Sequence, residues 1–185
     1  MKVTKTEIPG LLVVQPDIFT DSRGFFVESY NKVRYEESGI PYDFVQDNIS
    51  KSKKGTVRGL HYQVGEKAQG KLCQVIEGEV LDVAVDIRFN SPTFGRHFSL
   101  ILNSETKLQV WLPAGLAHGF SVLSDETIFS YKCTNYYSKV HERSILFSDP
   151  DLNIDWKVEN PIVSEKDLGA KKFKDIEKDF FYNQE

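Results

Sequence analysis

The chain has 185 residues, 40% hydrophobic and 27% charged, and carries a net charge of −4. That length reads as one domain spanning 1–185, with enough apolar material for a sizeable core. The weak negative charge argues against broad binding to nucleic acid or to an anionic membrane, yet a local cluster of arginines could still hold an anionic small ligand. Cys73 and Cys133 both sit in strand-like runs and match neither a zinc spacing nor a secreted disulfide framework. The opening MKVTKTEIPGLLVVQPD lacks the apolar segment of a signal peptide, and no stretch reaches transmembrane length. A reducing cytoplasm is the expected home.

In chain order, GFFVESY is an early strand candidate, and a short helix is expected over Lys32 to Ser38, between Asn31 as cap and Gly39 as terminator. TVRGLHYQ is the next candidate. KLCQVIEGEVLDVAVDIR alternates about a Glu77-Gly78-Glu79 turn, with Val83, Val85 and Ile87 on one face and Asp82, Ala84 and Asp86 on the other. It reads as an antiparallel hairpin whose second face looks into something polar. HFSLILN, LQVWLP, GFSVLS and TIFSYKCTNYY continue the series, separated by turn residues. Many short strands at this spacing predict a mainly β protein, an antiparallel jelly-roll barrel with short peripheral helices. The tail SEKDLGAKKFKDIEKDFF reads as helical, with Ser164 as its N-cap.

Four constellations could carry chemistry. In Arg58-Gly59-Leu60-His61-Tyr62-Gln63, a regular strand would put Arg58 and His61 on opposite faces. A turn or bulge is needed for both to meet one ligand, and a surface arginine beside a hydrogen-bonded histidine is the bland alternative. Pro113-Ala114-Gly115-Leu116-Ala117-His118 resembles the second motif of cupins, whose histidine often binds a metal. The first cupin motif should supply a histidine pair, but Gln63 stands where its second histidine belongs, so a metal is not favoured. In the run from Tyr131 to Tyr137, Tyr131, Cys133, Asn135 and Tyr137 share a strand face. They are either half-buried packing residues or, for a tyrosine opposite a histidine, a general acid facing a base. Ser164-Glu165-Lys166-Asp167 reads as a capping box, with orientation of a histidine as the other role open to Asp167.

Taken in order, Asp21-Ser22-Arg23-Gly24-Phe25-Phe26-Val27-Glu28, Gln46-Asp47-Asn48-Ile49-Ser50, RGLHYQ, QGKLCQVIEGEVLDVAVDIR, SPTFG, QVWLPAGLAHGF, YKCTNYY, His141-Glu142, SDPDLNIDW and SEKD resemble the dTDP-4-dehydrorhamnose 3,5-epimerases over about residues 21–168. Leu116, where an aromatic is expected, is a mild departure. The resemblance implies a cupin-type barrel and a substrate with a 4-keto sugar joined through pyrophosphate to thymidine. It implies no metal and no redox cofactor. His61 is then the base, Asp167 its orienter with Asp82 as second candidate, Tyr131 the acid, and Lys71 the stabiliser of charge on the keto oxygen. Arg23 and Arg58 suit the pyrophosphate, and Phe26, Glu28, Gln46, Asp47 and Asn48 the nucleotide and sugar. Tyr137 would stack on thymine, while His118, Glu142 and Lys166 complete the wall. The resemblance also implies a homodimer in which the Arg23–Glu28 strand enters the neighbour's site. Relatives inverting only carbon 3 or only carbon 5 would use the same groups. A metal-dependent cupin enzyme and a non-catalytic sugar-binding cupin are the readings from other classes.

Overall fold

The computed structural model describes residues 1–183. Strands β1 (Lys2–Lys5) and β2 (Leu12–Gln15) lead into a hairpin of β3 (Ile18–Asp21) and β4 (Gly24–Val27). Helix α1 (Lys32–Glu37) begins where expected, with the Asn31 side chain accepting the Arg34 amide at 3.3 Å. Then come β5 (Gln46–Lys53), β6 (Val57–Gln63), β7 (Lys71–Glu77), β8 (Glu79–Asp86) and β9 (His97–Asn103). They are followed by β10 (Gln109–Leu112), β11 (Leu116–Val122), β12 (Glu126–Cys133), β13 (Glu142–Ser144) and α2 (Glu165–Leu168). No helix among the described residues is long and apolar enough to cross a membrane.

One sheet runs β1-β2-β10-β7-β12-β5 and the other β13-β6-β11-β8-β9. Each sheet ends in two strands paired on one side only, so the expected jelly-roll barrel is not closed. The architecture is a sandwich of two open antiparallel sheets. Closure would need the end strands to pair with one another, and residue alternation reports which face a side chain takes, not which strand lies beside it.

The hairpin expected about Gly78 is corrected for the same reason. Strand β7 lies between β10 and β12, while β8 lies between β11 and β9, in the other sheet. Gly78, at φ +86°, turns the chain from one sheet to the other, and a Cβ there would sit 2.3 Å from the Glu126 carbonyl oxygen. The face assignment itself holds. Asp82, Ala84 and Asp86 point into the buried space between the sheets, and Val83, Val85 and Ile87 point outward.

Between the sheets, Val75, Val110 and Phe129 of one pack on Val80, Leu102 and Phe120 of the other. Full burial of a side chain such as Phe129 contributes about 1.5–3 kcal/mol. The outer face of the second sheet is covered by the C-terminal segment through Ile145, Leu152 and Trp156. On the first sheet, Tyr35 of α1 and Ile40 cover Leu12, Val14 and Trp111.

The tail is not the helix its sequence suggested. Beyond Leu168 it forms a short 3-10 turn at Phe173–Asp175 and isolated bridges of Lys171 with Ile145 and of Phe181 with Phe89. Phe173, Ile176 and Phe180 have helical spacing, but they pack on the outer sheet face from a largely extended chain. Its amides and carbonyls pair with the body instead, as in Phe89 N–H to Phe180 O at 2.9 Å and Tyr182 N–H to Phe89 O at 2.9 Å.

A bulge in β6 shapes the interior. His118 lies opposite His61 and Phe120 opposite Arg58, so Gly59 and Leu60 together face the single residue Gly119. The extra residue brings Arg58 and His61, three apart in sequence, to the same side. Gly59 has φ +116°, and a Cβ on it would lie 2.5 Å from Gly119 Cα and 2.6 Å from the His118 carbonyl oxygen. Gly59→Ala should therefore cost on the order of 1–3 kcal/mol in overpacking, with backbone strain in addition. Urea unfolding should show a lower midpoint. A midpoint equal to the parent's would mean that the two strands have room to separate.

Candidate active site

Helix α2 opens with Ser164, whose Oγ accepts the Asp167 amide at 3.2 Å. The Asp167 carboxylate does not return to that cap. Its Oδ1 meets His61 Nε2 at 2.6 Å, and its Oδ2 accepts the Gly59 amide at 3.5 Å. Only the serine half of the expected capping box forms, and the carboxylate that would complete it is spent on the histidine. The Asp167 side chain is 4% exposed and that of His61 29%. Burial works to raise the Asp167 carboxyl, but the His61 hydrogen bond and charge, with the Gly59 and Ser164 contacts, outweigh it and hold the group below its usual value. With that carboxylate ionised, the imidazole nitrogen it touches is the hydrogen-bond donor.

His61 faces two adjoining hollows of about 210 and 230 Å³ that share Asn48, Lys71 and Tyr131 with it. Lys71 and Tyr131 come from neighbouring strands β7 and β12, and the Lys71 Nζ sits 5.8 Å from the Tyr131 ring centroid. Burial, followed by the nearby Cys133 and Cys73, pushes the Tyr131 hydroxyl up to about 12. The first hollow opens past Gln46, Tyr137 and Glu142. The second ends on Arg58 and His118. A larger hollow of about 370 Å³ lies against the β3–β4 hairpin and brings together no such set of groups.

Asp82 does not serve His61. Its Oδ2 meets His118 Nε2 at 2.8 Å, and both side chains are buried between the sheets. Glu142 accepts Lys166 Nζ and the Tyr137 hydroxyl, the latter at 3.1 Å, tying α2 and the Tyr137 loop to β13. Burial raises the Glu142 carboxyl, and Lys166, Tyr137 and the nearby His61 more than offset that, leaving it below its usual value. Asp47 falls on the opposite face of β5 from Gln46 and Asn48 and pairs with Lys132 at 3.0 Å, outside both hollows. Arg23, Phe26 and Glu28 are not brought to this cavity within one chain. Arg23 is 88% exposed and pairs with Asp21 at 2.6 Å, Phe26 is exposed, and Glu28 pairs with Arg34 at 3.1 Å.

Several lining residues carried no assignment from the sequence. Gln63, noted only as the wrong residue for a metal motif, donates from Nε2 to the Lys67 and Tyr136 carbonyls at 3.0 and 3.2 Å and accepts the Ser138 amide. It thereby fastens the loop bearing Tyr137, and its alternation with His61 along β6 was the available signal. Gln69 and Cys133 also line the hollow. No group of three or more His, Cys, Asp or Glu among the described residues is placed to hold a metal ion.

A histidine hydrogen-bonded to a carboxylate, a tyrosine and a lysine about one cavity are the kinds of group that proton-transfer enzymes use. The comparisons with known proteins narrow this class. The family model described as dTDP-4-dehydrorhamnose 3,5-epimerase matches residues 5–175. The dTDP-4-dehydrorhamnose 3,5-epimerase of Shigella flexneri is 54% identical over 182 residues, 98% of this chain and 99% of the relative. A crystal structure of dTDP-6-deoxy-D-glucose-3,5-epimerase from Legionella pneumophila, in complex with dTDP-4-keto-L-rhamnose, aligns with a TM-score of 0.95 at 49% identity, covering 99% of each chain. That of dTDP-4-dehydrorhamnose 3,5-epimerase from Elizabethkingia anophelis aligns at 0.90 and 50% identity, over 95% of this chain and 97% of the other. This chain belongs to the dTDP-4-dehydrorhamnose 3,5-epimerase family.

The burial of Tyr131 has a measurable consequence. Comparing ultraviolet pH titrations of the parent and Tyr131→Phe, the tyrosinate absorbance belonging to Tyr131 should appear only as pH approaches about 12. Ionisation near the usual tyrosine value of about 10 would show the hydroxyl to be solvated.

Proposed function

We propose that this chain converts dTDP-4-dehydro-6-deoxy-D-glucose into dTDP-4-dehydro-L-rhamnose by inverting carbons 3 and 5 of the sugar. The observation that carries the proposal is the 2.6 Å contact of His61 with Asp167, in a cavity also lined by Tyr131 and Lys71. Both carbons lie α to the ketone, so loss of either proton gives an enolate. His61 takes that proton on its free nitrogen, and Asp167 fixes the ring and favours the imidazolium that forms. Lys71 stabilises the charge on the keto oxygen, a contribution of about 10²–10³ in rate by analogy with other oxyanion donors. Tyr131, protonated at working pH, delivers a proton to the opposite face of the sugar.

Arg58 holds the pyrophosphate, since a guanidinium matches phosphate oxygens in a fork. Tyr137 stacks on thymine, and Gln46, Asn48, His118 and Glu142 give the polar wall. The exposed hairpin supports a homodimer: Phe19, Phe25 and Phe26 project apolar rings from it, more than half exposed, beside Arg23. In a dimer this arm supplies Arg23 and Phe26 to the site of a second copy. The reducing cytoplasm suits the two buried free thiols, Cys73 and Cys133.

Incubation in heavy water with the 4-keto substrate, read by NMR, tests the roles. The parent should incorporate deuterium at carbons 3 and 5 with inversion at both; incorporation and inversion at one carbon alone would make it a single-site epimerase. His61→Ala should lose exchange and inversion together, by at least about 10²-fold. Tyr131→Phe should retain exchange at carbon 3 while yielding little inverted product. Folded Tyr131→Phe inverting both centres at the parent rate would remove Tyr131 from the mechanism.

The dimer is tested by complementation. Arg23→Ala and His61→Ala should each be impaired, and re-equilibrating them as a mixture should rebuild a competent site in each heterodimer, about a quarter of all sites. No recovery, with mixed dimers shown to form, would confine Arg23 to its own chain.

A further inference from the structure

The inward residues of β5 alternate as Gln46, Asn48, Ser50 and Ser52, and three of the four side chains have protein partners. Gln46 donates from Nε2 to Asn48 Oδ1 at 3.0 Å, Asn48 donates from Nδ2 to Cys133 Sγ at 3.5 Å, and Ser52 Oγ accepts Arg58 Nε at 3.1 Å. Ser50 is the exception. Its Oγ is buried and has no hydrogen-bond partner among the described residues, although Ser50 lines the same hollow as Arg58 and Tyr131. Its neighbours favour an apolar side chain: Ser50 lies opposite Phe129 in the ladder, and the Phe129 ring stacks on Phe120 at 4.3 Å. A hydroxyl kept there without a protein partner costs folding free energy that alanine would not.

We infer that Ser50 is a substrate-positioning residue whose hydroxyl donates to a phosphate oxygen of the bound nucleotide beside Arg58. The hydroxyl rotates freely to suit an acceptor. The Arg58 guanidinium is already fixed at Nε by Ser52, two residues along the same strand face, which leaves its terminal amino groups for the ligand. Two donors, Ser50 on β5 of one sheet and Arg58 on β6 of the other, border the same hollow and converge on one anion, one neutral and one charged. This assignment rests on the placement of the pyrophosphate at Arg58.

The test uses thymidine diphosphate and thymidine as calorimetric probes on the parent, Ser50→Ala and Arg58→Ala, with melting temperatures measured in parallel. Ser50→Ala should bind thymidine diphosphate about tenfold or more weakly, as expected for loss of a hydrogen bond to a charged group. It should bind thymidine as the parent does, and melt no lower than the parent because no protein contact is lost. Unchanged diphosphate affinity in Ser50→Ala, with weakened affinity in Arg58→Ala, overturns the role of Ser50 and leaves the pyrophosphate placement standing. Unchanged affinity in both overturns the placement as well. Equal weakening for thymidine assigns Ser50 to the nucleoside, and a lower melting temperature makes it a structural hydroxyl; either result overturns the inference.

Discussion

Strands β6 and β11 meet backbone to backbone at Gly59 and Gly119, with no room for a methyl group on either: a Cβ on Gly119 would lie 2.7 Å from the Arg58 carbonyl oxygen. This approach accommodates the bulge, and the bulge sets which side chains enter the interior. Arg58 and His61 then line one cavity, and the Gly59 amide is left facing outward, where Asp167 accepts it. One packing constraint between two glycines thus determines the direction of the histidine, the direction of the arginine and the docking point of the carboxylate.

The interior carries two histidine–carboxylate pairs built from the same two strands, since His61 and His118 are direct partners across the ladder. They differ in where the carboxylate comes from. His118 takes Asp82 from β8 of its own sheet, and that pair is buried between the sheets at the end of the second hollow. His61 takes Asp167 from a short helix outside the sheet, and its other ring edge borders the cavity. The first arrangement satisfies two buried polar groups, and the second leaves part of the ring lining the cavity.

Much of this was legible in the residues, and what was not has physical causes. Alternation correctly gave the faces of β8, and Asn31 and Gly39 correctly bracketed α1, because both signals are local. The need for a bulge between Arg58 and His61 could be read from their spacing, though not which residue would be doubled. Sheet membership was misjudged at Gly78, where a glycine serves a hairpin or a crossing between sheets equally well. The barrel was overdrawn because strand count and spacing do not reveal whether end strands pair. The tail was misread because Phe173, Ile176 and Phe180 have helical spacing while the hydrogen bonds that decide the matter come from Phe89 and Leu146 far upstream. Arg23, Phe26 and Glu28 were picked out by resemblance alone, and the geometry of a single chain leaves them outside the cavity.

The His61 partner lies 106 residues further along the chain, in the segment that folds over the outer face of the second sheet. Both sheets, and with them the cavity, are encoded before residue 145. During synthesis, therefore, a nascent chain can have built its hollow while the imidazole in it still lacks its carboxylate partner. The contact can form only once Ser164 has started its short helix and set the carboxylate under Gly59. Because that contact joins residues 106 apart, its loop closes later than the local pairings of the sheets that frame the hollow.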